Sequence, residues 1–111
     1  MLLSFVLALT TQIQAQSFLP TNLKITVIDG LGNFVEGATV KIFNSEDDYM
    51  NGKNPVAEMR SGKKGAVKFK KLKPIAYYID ARTEDKNNDG EGVATEVLLE
   101  GRTNKVNVVI E

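Results

Sequence analysis

The sequence predicts an all-β protein, a seven-stranded antiparallel Greek-key β-sandwich. Apolar and polar residues alternate with a period of two in several short runs, as they do in strands that bury one face. Turn-forming residues separate these runs at intervals of about 8–12 residues, which is typical of a sandwich. No run has the three-to-four-residue apolar spacing of an amphipathic helix.

The first two strands are predicted at LKITVID and GATVKIF, joined through the turn DGLGN. Their polar residues, such as Lys24 and Thr39, alternate with apolar residues that we expect to face the core. These core positions are Leu23, Ile25, Val27, Ala38, Val40 and Ile42.

The remaining strands follow one loop, NSEDDYMNGKNP, which we expect to hold a single helical turn capped by Ser45. VAEMR and AVKFKKL are the third and fourth strands, predicted to form a hairpin around SGKKG with Val67 and Phe69 facing inward. AYYIDART, the short segment EVLL and KVNVVIE are the fifth, sixth and seventh strands.

The chain opens with the features of a secretory signal peptide. An uncharged apolar run from Leu2 to Thr10 is followed by small and polar residues up to Ala15, although no Lys or Arg precedes the run. The run is too short to span a bilayer, so no membrane span is expected after cleavage. We therefore predict a signal peptide at 1–15, a flexible lead at 16–21, a domain at 22–111 and a secreted or periplasmic location.

The composition excludes several kinds of chemistry. Without Cys or His, the chain can form neither a disulfide nor a Ser–His or Cys–His nucleophile. The 14 Lys and Arg balance the 14 Asp and Glu, so the net charge does not favour nucleic acid. A small carboxylate-based hydrolase stays open, but the dense acids, Asp47/Asp48 and Glu84/Asp85, are adjacent pairs. We expect no enzyme and no cofactor.

The segment DKNNDGEGVATE, residues 85–96, matches the spacing of an EF-hand calcium loop. Gly90 stands at the sixth position, where the sharp turn of that loop requires glycine. The candidate ligands are Asp85, Asn87, Asp89, Glu91 and Glu96. The other interpretation is a solvated connecting loop in which NNDG is a turn sequence.

The segment around the predicted hairpin is strongly basic: it contains Arg60, Lys63, Lys64, Lys68 and Lys70. These cations are typical of an edge strand protected against pairing with other chains. The alternative is a surface for an anionic partner such as a glycan or a lipid headgroup.

Two stretches resemble a known family. VIDGLGNFVEGATVKIF and GAVKFKKLKPIAYY are similar to the strand and turn motifs of the carboxypeptidase-regulatory-like domains, also called transthyretin-like or prealbumin-like. The resemblance implies a prealbumin-like sandwich in which Gly37, Leu72, Pro74 and Tyr77 belong to the scaffold. Enzymatic relatives, the hydroxyisourate hydrolases, depend on His residues and a C-terminal Tyr-Arg-Gly-Ser that this sequence lacks.

The sequence thus predicts an exported, non-catalytic β-sandwich that acts as a binding or structural accessory module. The alternative is a calcium-stabilised module that binds carbohydrate or another component of the envelope. The expected partner is an unknown protein or glycan of the cell envelope, and the oligomeric state stays open.

Overall fold

The computed structural model describes residues 18–111, so the predicted signal peptide and the start of the lead lie outside the described residues. The described chain forms six strands and one short helix. They are β1 (Asn22–Asp29), β2 (Thr39–Phe43), α1 (Glu46–Asn51), β3 (Ala57–Arg60), β4 (Ala66–Phe69), β5 (Tyr78–Arg82) and β6 (Thr103–Ile110). Within this part of the chain, no helix is long and apolar enough to cross a membrane.

The strands form two three-stranded sheets with the core between them. Sheet A has the order β4-β1-β6, and sheet B has the order β3-β2-β5. The alternation in the sequence explains why the core lies between the sheets, because alternate apolar residues of both sheets are buried. The predicted core positions on β1, β2 and β4 all have buried side chains: Leu23, Ile25, Val27, Ala38, Val40, Ile42, Val67 and Phe69. The predicted all-β sandwich is thereby confirmed.

The predicted number of strands is wrong, because EVLL does not form a strand. Leu98 is buried, but Val97 and Leu99 on either side of it are exposed. The Asn104 side chain accepts a hydrogen bond from the Leu99 N–H (2.8 Å) and donates one to the Leu99 carbonyl (3.1 Å). A side-chain amide satisfies the backbone here, so the segment anchors one apolar residue without a strand partner.

The predicted hairpin of the third and fourth strands is also wrong. β3 pairs with β2 in sheet B, whereas β4 pairs with β1 in sheet A, so residues 61–65 carry the chain from one sheet to the other. Ser61 fixes this crossing: its buried hydroxyl donates to the Val35 carbonyl (2.7 Å) and accepts from the Ala38 N–H (2.9 Å). Alternation alone predicts which face a strand buries, but it does not predict the strand's partner.

The sandwich is not antiparallel throughout, because β1 and β6 run parallel. Their register extends over the full length of both strands, from Asn22 opposite Thr103 to Asp29 opposite Ile110. All other elements lie between these two strands in the sequence, which supplies the long connection that a parallel pair requires. The other strand pairs are antiparallel, and within residues 18–111 β2 and β3 are the one pair of consecutive strands that is hydrogen-bonded together in a sheet.

Three local predictions are confirmed. The Ser45 hydroxyl accepts a hydrogen bond from the Asp48 N–H (3.2 Å) and so caps α1. Gly37 has φ +80° at the entry to β2, a conformation that favours glycine. Tyr77 is buried across one end of the core, and its hydroxyl donates to the Lys73 carbonyl (3.0 Å) in the manner of a tyrosine corner.

Candidate functional site

The segment 83–96, here called the edge loop, covers the free edge of β5. The backbone groups that point away from β2 belong to the alternate residues Tyr77, Ile79, Ala81 and Thr83. Two N–H groups further along the loop donate to this edge: Thr95 N–H to the Tyr77 carbonyl (2.8 Å) and Asn88 N–H to the Ala81 carbonyl (3.2 Å). In the other direction, the Thr83 N–H donates to the Lys86 carbonyl (2.9 Å), and the Tyr77 N–H donates to the Thr95 hydroxyl (3.0 Å). The loop therefore takes the place of a further strand and closes this edge of sheet B.

Asn88 is the centre of this arrangement. Its side chain is only 1 % exposed, and its Oδ1 accepts from the Ala81 N–H at 3.0 Å. Its Nδ2 donates to the Ile79 carbonyl at 2.9 Å. One amide thus supplies both the acceptor and the donor that a neighbouring strand would supply.

The candidate calcium ligands of the edge loop are already engaged in other ways or are exposed. Asp89 Oδ1 accepts from the Arg82 guanidinium (3.0 Å), and Asn87 Oδ1 accepts from the Asp89 N–H (3.0 Å). Asp85 accepts from the Thr83 hydroxyl (3.2 Å), while Glu91 and Glu96 are exposed. Across residues 18–111, no three acidic side chains are grouped so that they could hold a metal ion. In this arrangement the candidate ligands are divided between contacts near the loop and exposed positions.

A groove of about 860 Å³ lies beside the edge loop, on the outer side of sheet B. It is bounded by α1 on one side and by the edge loop on the other, with the outward side chains of β5 between them. The lining residues are Glu46, Tyr49, Met50, Asn51, Gly52, Tyr78, Asp80, Arg82, Asp89, Gly90 and Val93. Residues far apart in the sequence meet here because the edge loop returns along β5.

Aromatic side chains form one wall of this groove. The rings of Tyr49, from α1, and Tyr78, from β5, are stacked with centroids 6.1 Å apart and an interplanar angle of 30°. Phe43, which lies opposite Tyr78 in the strand register, is buried and meets Tyr49 edge-on at 5.9 Å. Both tyrosines are partly exposed, so they present an apolar surface with fixed orientation.

A network of three charged side chains faces the aromatic wall. Arg82 bonds to Asp80 through Nη2 (2.6 Å) and Nε (2.9 Å), and it reaches Asp89 through Nη2 (3.0 Å). The hydrogen bond that Arg82 donates to Asp80 raises the pKa of Arg82 further above its ordinary value, so this guanidinium keeps its charge. Because Arg82 and Asp89 are about half exposed, their remaining hydrogen-bonding atoms are available to a ligand.

The hydroxyl group of Tyr49 is influenced by the same charged side chains. Burial raises the pKa of Tyr49 above its ordinary value of 10.0, and the charges of Asp89 and Asp80 raise it further. Tyr49 is therefore neutral near neutral pH and can both donate and accept a hydrogen bond. The groove combines the neutral Tyr49 hydroxyl with charged groups that hold one another in place.

The acids considered for a hydrolase do not lie together in this groove. Asp47 and Asp48 stand in the first turn of α1, where Asp48 serves the cap through its backbone. Glu84 and Asp85 are exposed in the edge loop. Neither pair lines the groove.

The basic residues of the predicted hairpin are divided between the two sheets. Arg60 ends β3 and donates to the Gly37 carbonyl (3.2 Å), while Lys63 and Lys64 lie in the crossing segment. Lys68 projects outward from β4 in sheet A, and Lys70 follows that strand. The sequence cluster is therefore spread over both sheets and the segment that connects them.

The groove was not predicted from the sequence, although part of its signal is present there. Tyr78, Asp80 and Arg82 alternate along β5 and so share its outward face. Their contacts with Tyr49 and Asp89 depend on where α1 and the edge loop lie, and the period-two pattern of the strands does not indicate those positions.

Comparison with known proteins shows similarity in structure only. No protein-family model and no curated protein sequence matches the chain. Among solved structures, it is similar to the Bacillus anthracis TIE protein (24 % identity, TM-score 0.61, 83 % of this chain and 17 % of that one). It is also similar to BcpA, the major pilin subunit of Bacillus cereus (17 % identity, TM-score 0.56, 84 % of this chain and 30 % of that one).

A further similar structure is an enzyme, the hydroxyquinol 1,2-dioxygenase of Pseudomonas putida DLL-E4 (10 % identity, TM-score 0.54, 84 % of this chain and 56 % of that one). The chain thus spans less than two thirds of each of these proteins. A pilin subunit and a dioxygenase share the fold, so the fold alone does not assign a function. What the similarity shows is a β-sandwich of the immunoglobulin-like or prealbumin type.

Proposed function

We propose that the protein is an exported, non-catalytic binding module whose groove on sheet B binds a carbohydrate. The observation that carries this proposal is the stacked pair Tyr49 and Tyr78 facing the network of Asp80, Arg82 and Asp89. The two halves of the groove match the two surfaces of a sugar ring. A sugar ring has a flat apolar face, which suits the tyrosine pair, and an edge of hydroxyl groups, which suits the charged network.

The chemistry of each half supports this choice of ligand. A fixed aromatic surface packs against the C–H face of a sugar with little loss of side-chain entropy, because tyrosine has few rotatable bonds. Carboxylate oxygens accept from sugar hydroxyls, and guanidinium N–H groups donate to them. The ion pairs hold Asp80 and Arg82 in position before a ligand arrives, which lowers the entropic cost of binding.

The same features do not favour catalysis in the groove. Both of its central carboxylates, Asp80 and Asp89, are held by one cationic side chain. A pair of glycosidase acids instead needs one protonated group and one free carboxylate on opposite sides of the bond that is cleaved. We therefore infer recognition without hydrolysis.

The N-terminal segment 1–15 supports a secreted or periplasmic location, so the partner belongs to the cell envelope or its surroundings. A purely structural role is the second candidate. It is favoured by the structural similarity to a major pilin subunit, a protein that is itself a building unit. On the narrower family, the motifs around Gly37 and Gly65 support a carboxypeptidase-regulatory-like domain.

An array of neutral oligosaccharides tests the groove directly. We expect the chain to bind a subset of them, and we expect Tyr49→Ala and Arg82→Gln each to weaken that binding about tenfold or more. The matched control is Lys41→Gln, an outward position on β2 that does not line the groove. If no oligosaccharide is bound, or if the control loses as much affinity as the groove variants, the proposal is wrong and the structural role is favoured.

Thermal melts in excess calcium and in EDTA test the calcium-stabilised alternative. A ligand at about 100 times its dissociation constant adds about 2.7 kcal/mol, which corresponds to a rise of more than about ten degrees for a domain of this size. Because Arg82 and Asn88 already hold the edge loop, we expect the two melting curves to coincide. A large calcium-dependent shift that Asp85→Ala removes would make the loop a metal site.

A further inference from the structure

The strand register brings three lysines into one row on the outer face of sheet A. Lys24 on β1 lies opposite Lys68 on β4 and also opposite Lys105 on β6. Neighbouring strands are about 4.8 Å apart, so the three backbone positions span about 10 Å across the sheet. We call these residues the lysine row.

The lysine row has no acidic partner within residues 18–111. The ion pairs in this part of the chain are Lys41–Glu58 and the two pairs of Arg82, none of which involves sheet A. The one acid in the three strands of sheet A is Asp29. Its carboxylate accepts from the backbone N–H groups of Leu31 (3.0 Å) and Asn33 (2.9 Å).

Protection of strand edges does not account for this arrangement. Like charges directly opposite one another in a sheet destabilise it. Lys68 and Lys105 stand on edge strands, where a cation discourages pairing with other chains. Lys24 stands on the central strand, where no edge exists, so its position between two lysines adds repulsion without that benefit.

We propose that the outer face of sheet A binds a polyanion, specifically a linear polymer of polyol units linked by phosphodiesters. Lysine ammonium groups are compact charges that bind phosphate without a fixed geometry. On one side of the row, the outward residues Thr26 and Asn107 lie opposite each other and are polar. Their hydroxyl and amide groups suit the free hydroxyls of a polyol backbone.

Other anionic partners fit this surface less well. The strands of sheet A contain one aromatic residue, Phe69, and it is buried; the exposed Phe34 bridges to Ile28, two outward positions along β1 from Lys24. The positions next to the lysine row therefore offer nucleic acid bases no ring on which to stack. Of the positions flanking the lysine row, Thr26 and Asn107 are polar and Ala66 is a small, partly exposed apolar residue, so this part of the face offers little apolar surface to a bilayer. The surface lies on the opposite side of the sandwich from the groove, so either proposal can fail without the other.

The test measures binding of the chain to a fluorescently labelled synthetic poly(glycerol phosphate) at two salt concentrations. With three phosphates contacted, we expect affinity to fall about 20-fold between about 50 and 200 mM salt. The triple variant Lys24→Gln, Lys68→Gln, Lys105→Gln should lose at least about tenfold in affinity at low salt, and its salt dependence should be shallow.

The matched control carries the same change in charge at exposed lysines outside sheet A: Lys53→Gln, Lys63→Gln and Lys73→Gln. We expect it to keep most of the affinity. The lysine-row variant should melt no lower than the unchanged protein, because repulsion has been removed. Equal losses in both triple variants, or equal binding to single-stranded DNA or to anionic lipid vesicles, would overturn the proposal.

Discussion

At the scale of single residues, Asn88 determines how sheet B ends. Its amide bonds to the backbone of both Ile79 and Ala81, so a buried side chain performs the task of a strand backbone. Asparagine suits this position because it carries a donor and an acceptor on one short side chain. In the sequence, however, it is one of two consecutive asparagines inside a turn pattern, and nothing there indicates that it is buried.

We expect Asn88→Ala to lower the free energy of unfolding by about 2–4 kcal/mol, because it leaves the Ala81 N–H and the Ile79 carbonyl without partners. Urea denaturation measures this change. Glu91→Ala, at an exposed position of the same loop, is the control and should change stability by less than about 0.5 kcal/mol. Equal effects of the two substitutions would contradict the role given to Asn88.

Asp29 makes stability depend on pH at the acidic end. Backbone hydrogen bonds from Asn33 and Leu31 hold its pKa below the ordinary value of 3.8. The group therefore contributes stability that is present above about pH 4 and is lost as the pH falls through the lowered pKa. We expect Asp29→Asn to make this loss smaller, as measured by urea midpoints at about pH 6 and pH 3. If the two midpoints differ as much in the variant as in the unchanged protein, other carboxylates cause the acid sensitivity.

At the scale of elements, the crossing between β3 and β4 decides the topology, and Gly65 is its tightest point. Gly65 has φ +72°, and a Cβ atom there would lie 2.5 Å from the Val27 carbonyl oxygen and 3.3 Å from the Val35 nitrogen. Both neighbours are backbone atoms and cannot rotate away. The crossing can therefore take this path only with glycine at this position.

We expect Gly65→Ala to destabilise the protein by about 2–4 kcal/mol, from the strained φ and the overlap together. Gly62→Ala in the same crossing is the matched control: its φ is not positive, and its nearest Cβ contact would be 3.9 Å. Thermal or urea unfolding of both variants measures the difference. Similar stability of the two variants would mean that the crossing is not constrained at Gly65.

The elements also show how far the sequence predicts this protein. The sequence pattern identified all six strands, and period-two alternation identified the buried faces of β1, β2 and β4, because burial of one face is a local property of a strand. It could not predict that β3 and β4 belong to different sheets, since partner choice depends on the whole chain. The prediction that EVLL forms a strand was wrong for a related reason. An apolar segment can bury one side chain, here Leu98, without joining a sheet.

At the scale of the whole molecule, the two outer faces differ in charge. Sheet A presents the lysine row, whereas sheet B presents the ion-paired groove. The formal net charge of zero conceals this difference. The uneven distribution along the sequence indicated it only in part, because Lys24 and Lys105 lie far from the basic segment and join Lys68 through pairing of the first and last strands.

The parallel pairing of β1 and β6 has a mechanical consequence. The chain enters β1 at Asn22 and leaves β6 at Ile110, and the parallel register places these two points at opposite ends of sheet A. Tension applied to the two ends of the domain would draw these strands past each other along a length of about 26 Å. The hydrogen bonds between them would then bear the force together, in shear, instead of opening one after another from one end. Such a domain transmits a pull along its axis and yields only when the whole ladder breaks.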